Sequence, residues 1–180
     1  MRILFRYLLL AIIGVAIFSC LSENSKDLAE ISKNEAVFNE KHDSIKLALK
    51  MDILYKTFIR KYPSDTNIPR MLFEDAQLNI SPLRRTEAAV NQLEELYTRY
   101  PDFSLSANAM FKAAFLDENV LGRTEQAKQL YLKFIDKYPK NPLVNDAKIS
   151  VENISLSPAE LLKKVQAQQD SLKNSAASNK

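Results

Sequence analysis

The stretch Leu130-Tyr131-Leu132-Lys133-Phe134-Ile135-Asp136-Lys137-Tyr138-Pro139 decides how the rest of the chain is read, because its pattern occurs three times. Tyr-Pro stands at Tyr62-Pro63, Tyr100-Pro101 and Tyr138-Pro139, which is a constant 38-residue period. The residues before each pair correspond as well. Phe58, Leu96 and Phe134 lie five before the proline, Ile59, Tyr97 and Ile135 four before, and Lys61, Arg99 and Lys137 two before. Tyr55, Leu93 and Tyr131 lie eight before. Self-similarity at a fixed period of this size marks a repeat architecture.

Each copy has the pattern of a helix with one apolar face. Ala127, Leu130, Tyr131, Phe134, Ile135 and Tyr138 form a stripe of helical period, and Lys128, Lys133, Asp136 and Lys137 lie off it. The proline ends the helix, since it lacks an N–H and pushes the preceding residue out of the α region. Tyr55, Phe58, Tyr62, Leu93, Leu96, Tyr100, Tyr131, Phe134 and Tyr138 are therefore expected to pack the repeats together. A second helix is expected after each Tyr-Pro. Its apolar residues are Ile68, Met71, Leu72, Phe73, Ala76 and Leu78 in the first copy, and Ala107, Met110, Phe111, Ala114 and Phe115 in the next. Val144, Ala147, Val151 and Ile154 follow in the last.

Local signals mark the helix ends. Ser81-Pro82 and Ser157-Pro158 each place a capping residue before a first-turn proline, Ser157 with Glu160 makes a capping box, and Thr124 is expected to cap a helix from Glu125. Gly122, the only glycine after Cys20, falls in a turn between two helices. That scarcity excludes glycine-rich phosphate loops, and no strand-like alternation of useful length occurs. The chain is expected to be all-α.

The N-terminus differs in kind. Arg2 and Arg6 precede the apolar run Leu8 to Phe18, which is too short for a bilayer span of about 20 residues and right for a secretory signal. The ending Ile17-Phe18-Ser19-Cys20 resembles the lipobox of bacterial lipoproteins, which implies a signal peptide over 1–19 and lipidation at Cys20. Each buried CH₂ of an attached chain, such as palmitate, contributes about 0.8 kcal/mol, so such an anchor is close to permanent. Leu21, rather than Asp, after the cysteine resembles an outer-membrane address, facing the periplasm. Residues 20–27 then form a lipidated tether, 28–156 the repeat domain, 157–171 a C-terminal capping helix and 172–180 a disordered tail. Leu28, Ile31, Phe38, Ile45 and Leu49 fit a heptad whose other seam positions are Glu35 and His42. This segment is either a short oligomerising coiled coil or the first, degenerate helix of the array. The two polar seam positions favour the array.

Charge and composition exclude several functions. Without residues 1–19 the chain keeps 23 basic against 22 acidic residues, which offers no patch for nucleic acid. Cys20 is the only cysteine and His42 the only histidine, so no disulfide, metal site or cofactor is expected. The adjacent carboxylates Glu94-Glu95 and Asp117-Glu118 do not face each other on a helix, and no nucleophile with a base is in evidence. An enzyme is not expected.

Ala127-x₃-Tyr131-x₂-Phe134-x₄-Pro139 resembles the second half of a tetratricopeptide repeat. Ala89, Leu93, Leu96 and Pro101 occupy the same slots, as do Met51, Tyr55, Phe58 and Pro63. The resemblance covers about residues 45–154. It is similar to an envelope subgroup that includes the tetratricopeptide lipoprotein of the outer-membrane β-barrel assembly machine and the periplasmic coordinator of the Tol–Pal system. The period of 38, against 34 in the family, is assigned to a longer turn at Asn119 to Arg123. The resemblance implies antiparallel helix pairs stacked as a short right-handed solenoid, with a protein-binding groove lined by the first helix of each pair. Carried across, the groove positions are Asn67, Arg70, Glu74 and Gln77, then Leu105, Asn108, Lys112 and Phe115, then Leu143, Asp146, Ser150 and Asn153. Arg70 and Phe115 are the expected anchors for an extended or helical peptide of an envelope protein.

Overall fold

Every Tyr-Pro pair ends a helix, as the missing proline N–H requires. The structure, a computed structural model, describes residues 24–42 and 44–178. All regular elements among the described residues are helices: α1 (24–40), α2 (Ile45–Lys61), α3 (Ile68–Ile80), α4 (Thr86–Arg99), α5 (Ser106–Asn119), α6 (Thr124–Lys137), α7 (Val144–Ser155) and α8 (Pro158–Ser178). The segment 1–19 expected to be a signal peptide, and the expected lipidation site Cys20, lie outside the described residues. None of the described helices is long and apolar enough to cross a membrane. The chain divides into two compact units, Met1–Gln92 and Leu93–Lys180.

The repeat period is a period of backbone geometry. The N–H groups of Tyr62, Tyr100 and Tyr138 donate to the carbonyls of Phe58, Leu96 and Phe134, each at 2.9 Å. Three residues on, Asp65, Phe103 and Asn141 donate back to those tyrosines at 3.0, 3.1 and 2.9 Å. Three further, Ile68, Ser106 and Val144 donate to Asp65, Phe103 and Asn141, and the next helix begins. The repeated basic residue has a role too. Lys61, Arg99 and Lys137 hold their cations over the rings of Tyr62, Tyr100 and Tyr138, at 5.2, 5.3 and 5.5 Å from the centroids. As last-turn cations they also suit the negative end of the helix dipole.

Unit 1 closes around Ile31, Met51, Tyr55, Phe58 and Met71, with Leu28 and Phe38 packed against them. Unit 2 closes around Met110, Tyr131, Phe134 and Val144. There Phe111 meets Tyr131 and Phe134 at 5.5 and 5.6 Å between centroids, and Phe134 meets Tyr138 at 5.7 Å. Each large side chain buried this way contributes about 1.5–3 kcal/mol. The small residues Ala113, Ala114 and Ala127 are fully buried on α5 and α6.

Several expectations are corrected. The heptad over 28–49 is not one helix: α1 ends at 40, and Ser44 caps α2 by accepting from the Leu47 N–H at 3.4 Å. Ile31, at 1 % exposure, belongs to the unit 1 core, so its apolar positions serve an intramolecular helix pair and not a coiled-coil seam. The tether over 20–27 is shorter than expected, because residues 24–27 form the first turn of α1. There the Asp27 carboxylate accepts from the Tyr62 hydroxyl at 3.0 Å and from Lys61 Nζ at 3.1 Å. Ser81 ends α3 and does not start α4. The Leu83 N–H donates to the Leu78 carbonyl at 3.0 Å, which keeps Pro82 inside the closing turn until Thr86. Thr124 is already helical, and its predecessor Arg123 makes no side-chain cap. The capping box of α8 does form, with Ser157 N–H donating to Glu160 Oε2 at 2.8 Å and Glu160 N–H to Ser157 Oγ at 3.4 Å. That helix does not act as the expected cap, because Leu161, Leu162 and Val165 stay exposed. It also runs through most of the expected disordered tail over 172–180, to Ser178, since no proline or glycine follows Pro158 and Ala, Leu, Lys and Gln dominate.

Candidate functional site

Unit 1 contains a cleft of about 310 Å³ between α1, α2 and α3. Glu35, Phe38 and Asn39 line it from α1, Met51 and Tyr55 from α2, and Arg70, Glu74, Gln77 and Leu78 from α3, with Ser81 at the end. Three of the four expected groove residues of this unit therefore share one cavity. The spacing of 70, 74 and 77 places them on one face of α3, and packing of α3 on α2 turns that face toward α1.

The polar groups in the cleft are ordered by Glu35. Its Oε1 accepts from the Tyr55 hydroxyl at 2.7 Å and pairs with Arg70 Nη1 at 2.7 Å. Burial, and then the hydrogen bond to Glu35, push the Tyr55 phenol well above its ordinary range. Burial works to lower the Arg70 pKa, but the bond to Glu35 outweighs it and the net shift is upward. Glu74 is raised, first by burial and also by the charge of Glu35, with Arg70 opposing. The fourth expected residue, Asn67, is taken up by the loop before α3. Its N–H and its Nδ2 both donate to Asp65 Oδ1, at 2.8 and 2.9 Å.

In unit 2 the expected residues stand on two helices. Asn108 and Phe115 are exposed on α5, Phe115 at 47 %, with Leu105 at the N-cap. Lys112 is half-buried between them, and burial lowers its pKa. On α7 Asp146 is exposed, Ser150 half-buried, and Asn153 accepts from Lys164 Nζ of α8 at 3.0 Å. Leu143 caps α7, its N–H held by Asn141 Oδ1 at 2.9 Å. A cleft of about 490 Å³ in this unit is lined by Tyr97, Pro101, Met110, Lys133 and Lys137 among others, none of them an expected groove residue. The packing residues Tyr55, Phe58, Tyr62, Leu93, Leu96, Tyr131 and Phe134 are buried, and Tyr100 and Tyr138 half-buried.

Glu35 and Phe38 were not among the expected groove residues. The signal for Glu35 was its place in the heptad: a charge on the inner face of α1 needs a partner, and Tyr55 with Arg70 supplies two.

A second polar group lies deeper in unit 1, where α2, α3 and α4 meet. Asn79 Nδ2 donates to the Asp75 carbonyl at 2.9 Å and to Gln92 Oε1 at 3.1 Å, and Gln92 Nε2 donates to the Asp75 carboxylate. Lys56 and Arg85 pair with Asp52, the latter at 3.3 Å. Burial, and then the charge of Asp52, push the Asp75 carboxyl up to about 7. Burial also works to raise Asp52, but its hydrogen bonds, that of Lys56 foremost, hold it below the usual carboxylate range. Asp75 is fully buried and neither carboxylate lines the cleft, so the pair ties three helices together. Among the described residues no group of three His, Cys, Asp or Glu is placed to hold a metal ion.

The sequence pattern of the tetratricopeptide-repeat family matches residues 108–141. This span holds most of α5, all of α6 and the Tyr138-Pro139 loop. Helix-pair repeats of this kind generally mediate protein–protein interaction and are typically non-catalytic. The matched span already contains the Asn119–Arg123 turn, yet it is no longer than the family's own period. The four residues of the 38-residue period that follow the matched span, 142–145, lie at the end of the Tyr-Pro loop and in the first turn of α7. No curated protein and no solved structure matches the chain.

Proposed function

We propose that this chain is a lipid-anchored, non-catalytic adaptor of a bacterial envelope, holding another envelope protein near the outer membrane on its periplasmic side. The observation that carries the binding function is the tetratricopeptide match over α5 and α6, with Phe115 left exposed on α5. Anchoring is supported by the signal-like run Leu8 to Phe18 followed by Cys20. A role beside the β-barrel assembly machine is a narrower form of the same reading, favoured by the segment Leu130 to Pro139 and its likeness to the envelope subgroup. The oligomer reading is weakened by the end of α1 at 40 and the start of α2 at Ile45, which divide the heptad between two helices.

The test is crosslinking in membranes followed by purification of the full chain, comparing wild type with Phe115→Ala and Cys20→Ala. Specific envelope proteins recovered with wild type and lost with Phe115→Ala support the adaptor. Membrane attachment that survives Cys20→Ala rules out the anchor, and recovery of no specific protein rules out the adaptor.

A further inference from the structure

The cleft between α1, α2 and α3 has one charge left over. Glu35 is satisfied by Tyr55 and Arg70, both at 2.7 Å. Arg70, the expected anchor, is thereby tied to α1, although its side chain remains partly exposed. Glu74, one turn further along α3, makes neither a hydrogen bond nor an ion pair with any described residue, although it is half-buried. The ionised cleft therefore carries two carboxylates against one guanidinium. Around them Phe38, Met51 and Leu78 supply apolar wall.

We propose that this cleft receives a lysine or arginine side chain from a partner peptide, its aliphatic stem lying on Phe38, Met51 and Leu78 and its cation meeting Glu74. The proposal rests on the protein-binding reading and names the chemistry of the partner. A carboxylate withdrawn from water without a partner is unfavourable, and a cation removes that penalty while leaving the Glu35–Arg70 pair intact. Long basic side chains cover apolar surface with their stems and keep their heads on polar groups. An acidic side chain would add a third negative charge. A purely apolar one would dehydrate Glu74 further and give nothing back. The volume of about 310 Å³ suits one or two side chains of a peptide. The net negative charge also favours approach of a basic segment at low salt.

The test uses the full chain in detergent and four peptide libraries with random flanks, fixed at a central Lys-Leu, Arg-Leu, Ala-Leu or Glu-Leu. The two basic libraries should be retained about tenfold over the alanine library, the size of effect one charge-assisted hydrogen bond gives. Glu74→Gln should remove that preference, and Glu74→Arg should turn it toward the Glu-Leu library, with unchanged helical circular dichroism in both. Equal retention of all four libraries, preference for the acidic one, or a basic preference that persists in Glu74→Gln overturns the proposal. A dimer in sedimentation that dissociates on Glu74→Gln also overturns it, since the cleft would then be filled by a second copy. If the libraries show no preference while membrane crosslinking still captures a specific envelope protein, the charge assignment falls and the adaptor stands. If crosslinking captures nothing either, both fall.

Discussion

Displaced by one repeat period, the two units use the same turns and different interiors. Leu83 and Leu121 donate to Leu78 and Leu116 at 3.0 Å, and Arg85 and Arg123 to Asn79 and Asp117 at 2.6 and 2.7 Å. Between them Arg84 and Gly122 both adopt positive φ, 53° and 66°. The side chains diverge. Asp75, Asn79 and Gln92 of unit 1 correspond to Ala113, Asp117 and Leu130 of unit 2. Where unit 1 joins its helices through a buried polar network, unit 2 does so through alanine contacts and four aromatic rings. The backbone repeat therefore depends on turn and helix-end residues, and the interior is free to differ. Each interior also holds a carboxyl raised by burial, Asp75 in unit 1 and Asp117 in unit 2, and Asp75 is the one pushed up to about 7.

The largest expected effect comes from breaking unit 2. Phe134→Ala removes the ring that contacts both Phe111 and Tyr138, and should lower stability by about 3–5 kcal/mol. Denaturant unfolding measures the loss, and hydrogen exchange should show amides of α5 to α7 opening first. A loss below about 1 kcal/mol would mean that the ring cluster does not hold the unit.

Acid should separate the units next. The Asp75 carboxyl is raised in the folded state, from 3.8 to about 7, so the folded chain binds this proton more tightly than the unfolded one. Its contribution is therefore full below the unfolded pKa, and stability falls as the pH rises through the folded value. Asp52, lowered, has the opposite sign, but its contribution is lost only below the ordinary carboxylate range. Between about pH 5 and pH 8 unit 1 should lose roughly 1–2 kcal/mol through Asp75, and Asp117 gives unit 2 a dependence of the same sign. Asp75→Asn should flatten the dependence of unit 1. A thermal melt as steep in pH for the variant as for wild type would remove Asp75 as its source.

What could be read from the sequence follows from how local each cause is. The three Tyr-Pro helix ends, the capping box at Ser157 and the turn at Gly122 depend on neighbours within a few residues, and the structure has them. Ser81-Pro82 has the same local signature as Ser157-Pro158, yet Leu83 bonds back to Leu78 and the serine ends a helix instead. Nothing in the Ser-Pro signature itself distinguishes the two. Arg70, Glu74 and Gln77, named from the tetratricopeptide resemblance, line the cleft together because they share one face of α3. Glu35 is 35 residues from Arg70, and its pairing depends on how α1 packs, which spacing within one helix cannot give.

The paired turns offer a smaller test of whether their equivalence is energetic as well as geometric. A Cβ at Gly122 would meet nothing within 4 Å, so Gly122→Ala sets the strain of its positive φ against a stiffer unfolded chain, with no clash, and should cost about 0.5–1 kcal/mol. Arg84→Gly relieves the same strain in unit 1 but loosens the unfolded chain, and should change stability by less than about 0.5 kcal/mol. The unfolded-chain term reverses sign together with the strain, so equal and opposite effects from the two would show that the two turns are energetically equivalent.

The smallest effect concerns the cation that precedes each Tyr-Pro. Lys137→Met keeps the stem over Tyr138 and removes the charge, so it isolates the attraction between cation and ring. At this exposed site the loss should be about 0.5 kcal/mol, measured by denaturant unfolding. Lys61→Met removes the same attraction and also the pair with Asp27 at 3.1 Å, which fastens α1 to the end of α2. It should therefore cost more than Lys137→Met, and the excess should shrink in high salt, where an exposed pair is screened. If the two losses are equal at every salt concentration, the Asp27 pair contributes nothing. The repeated basic residue would then act through its ring alone, in both units alike.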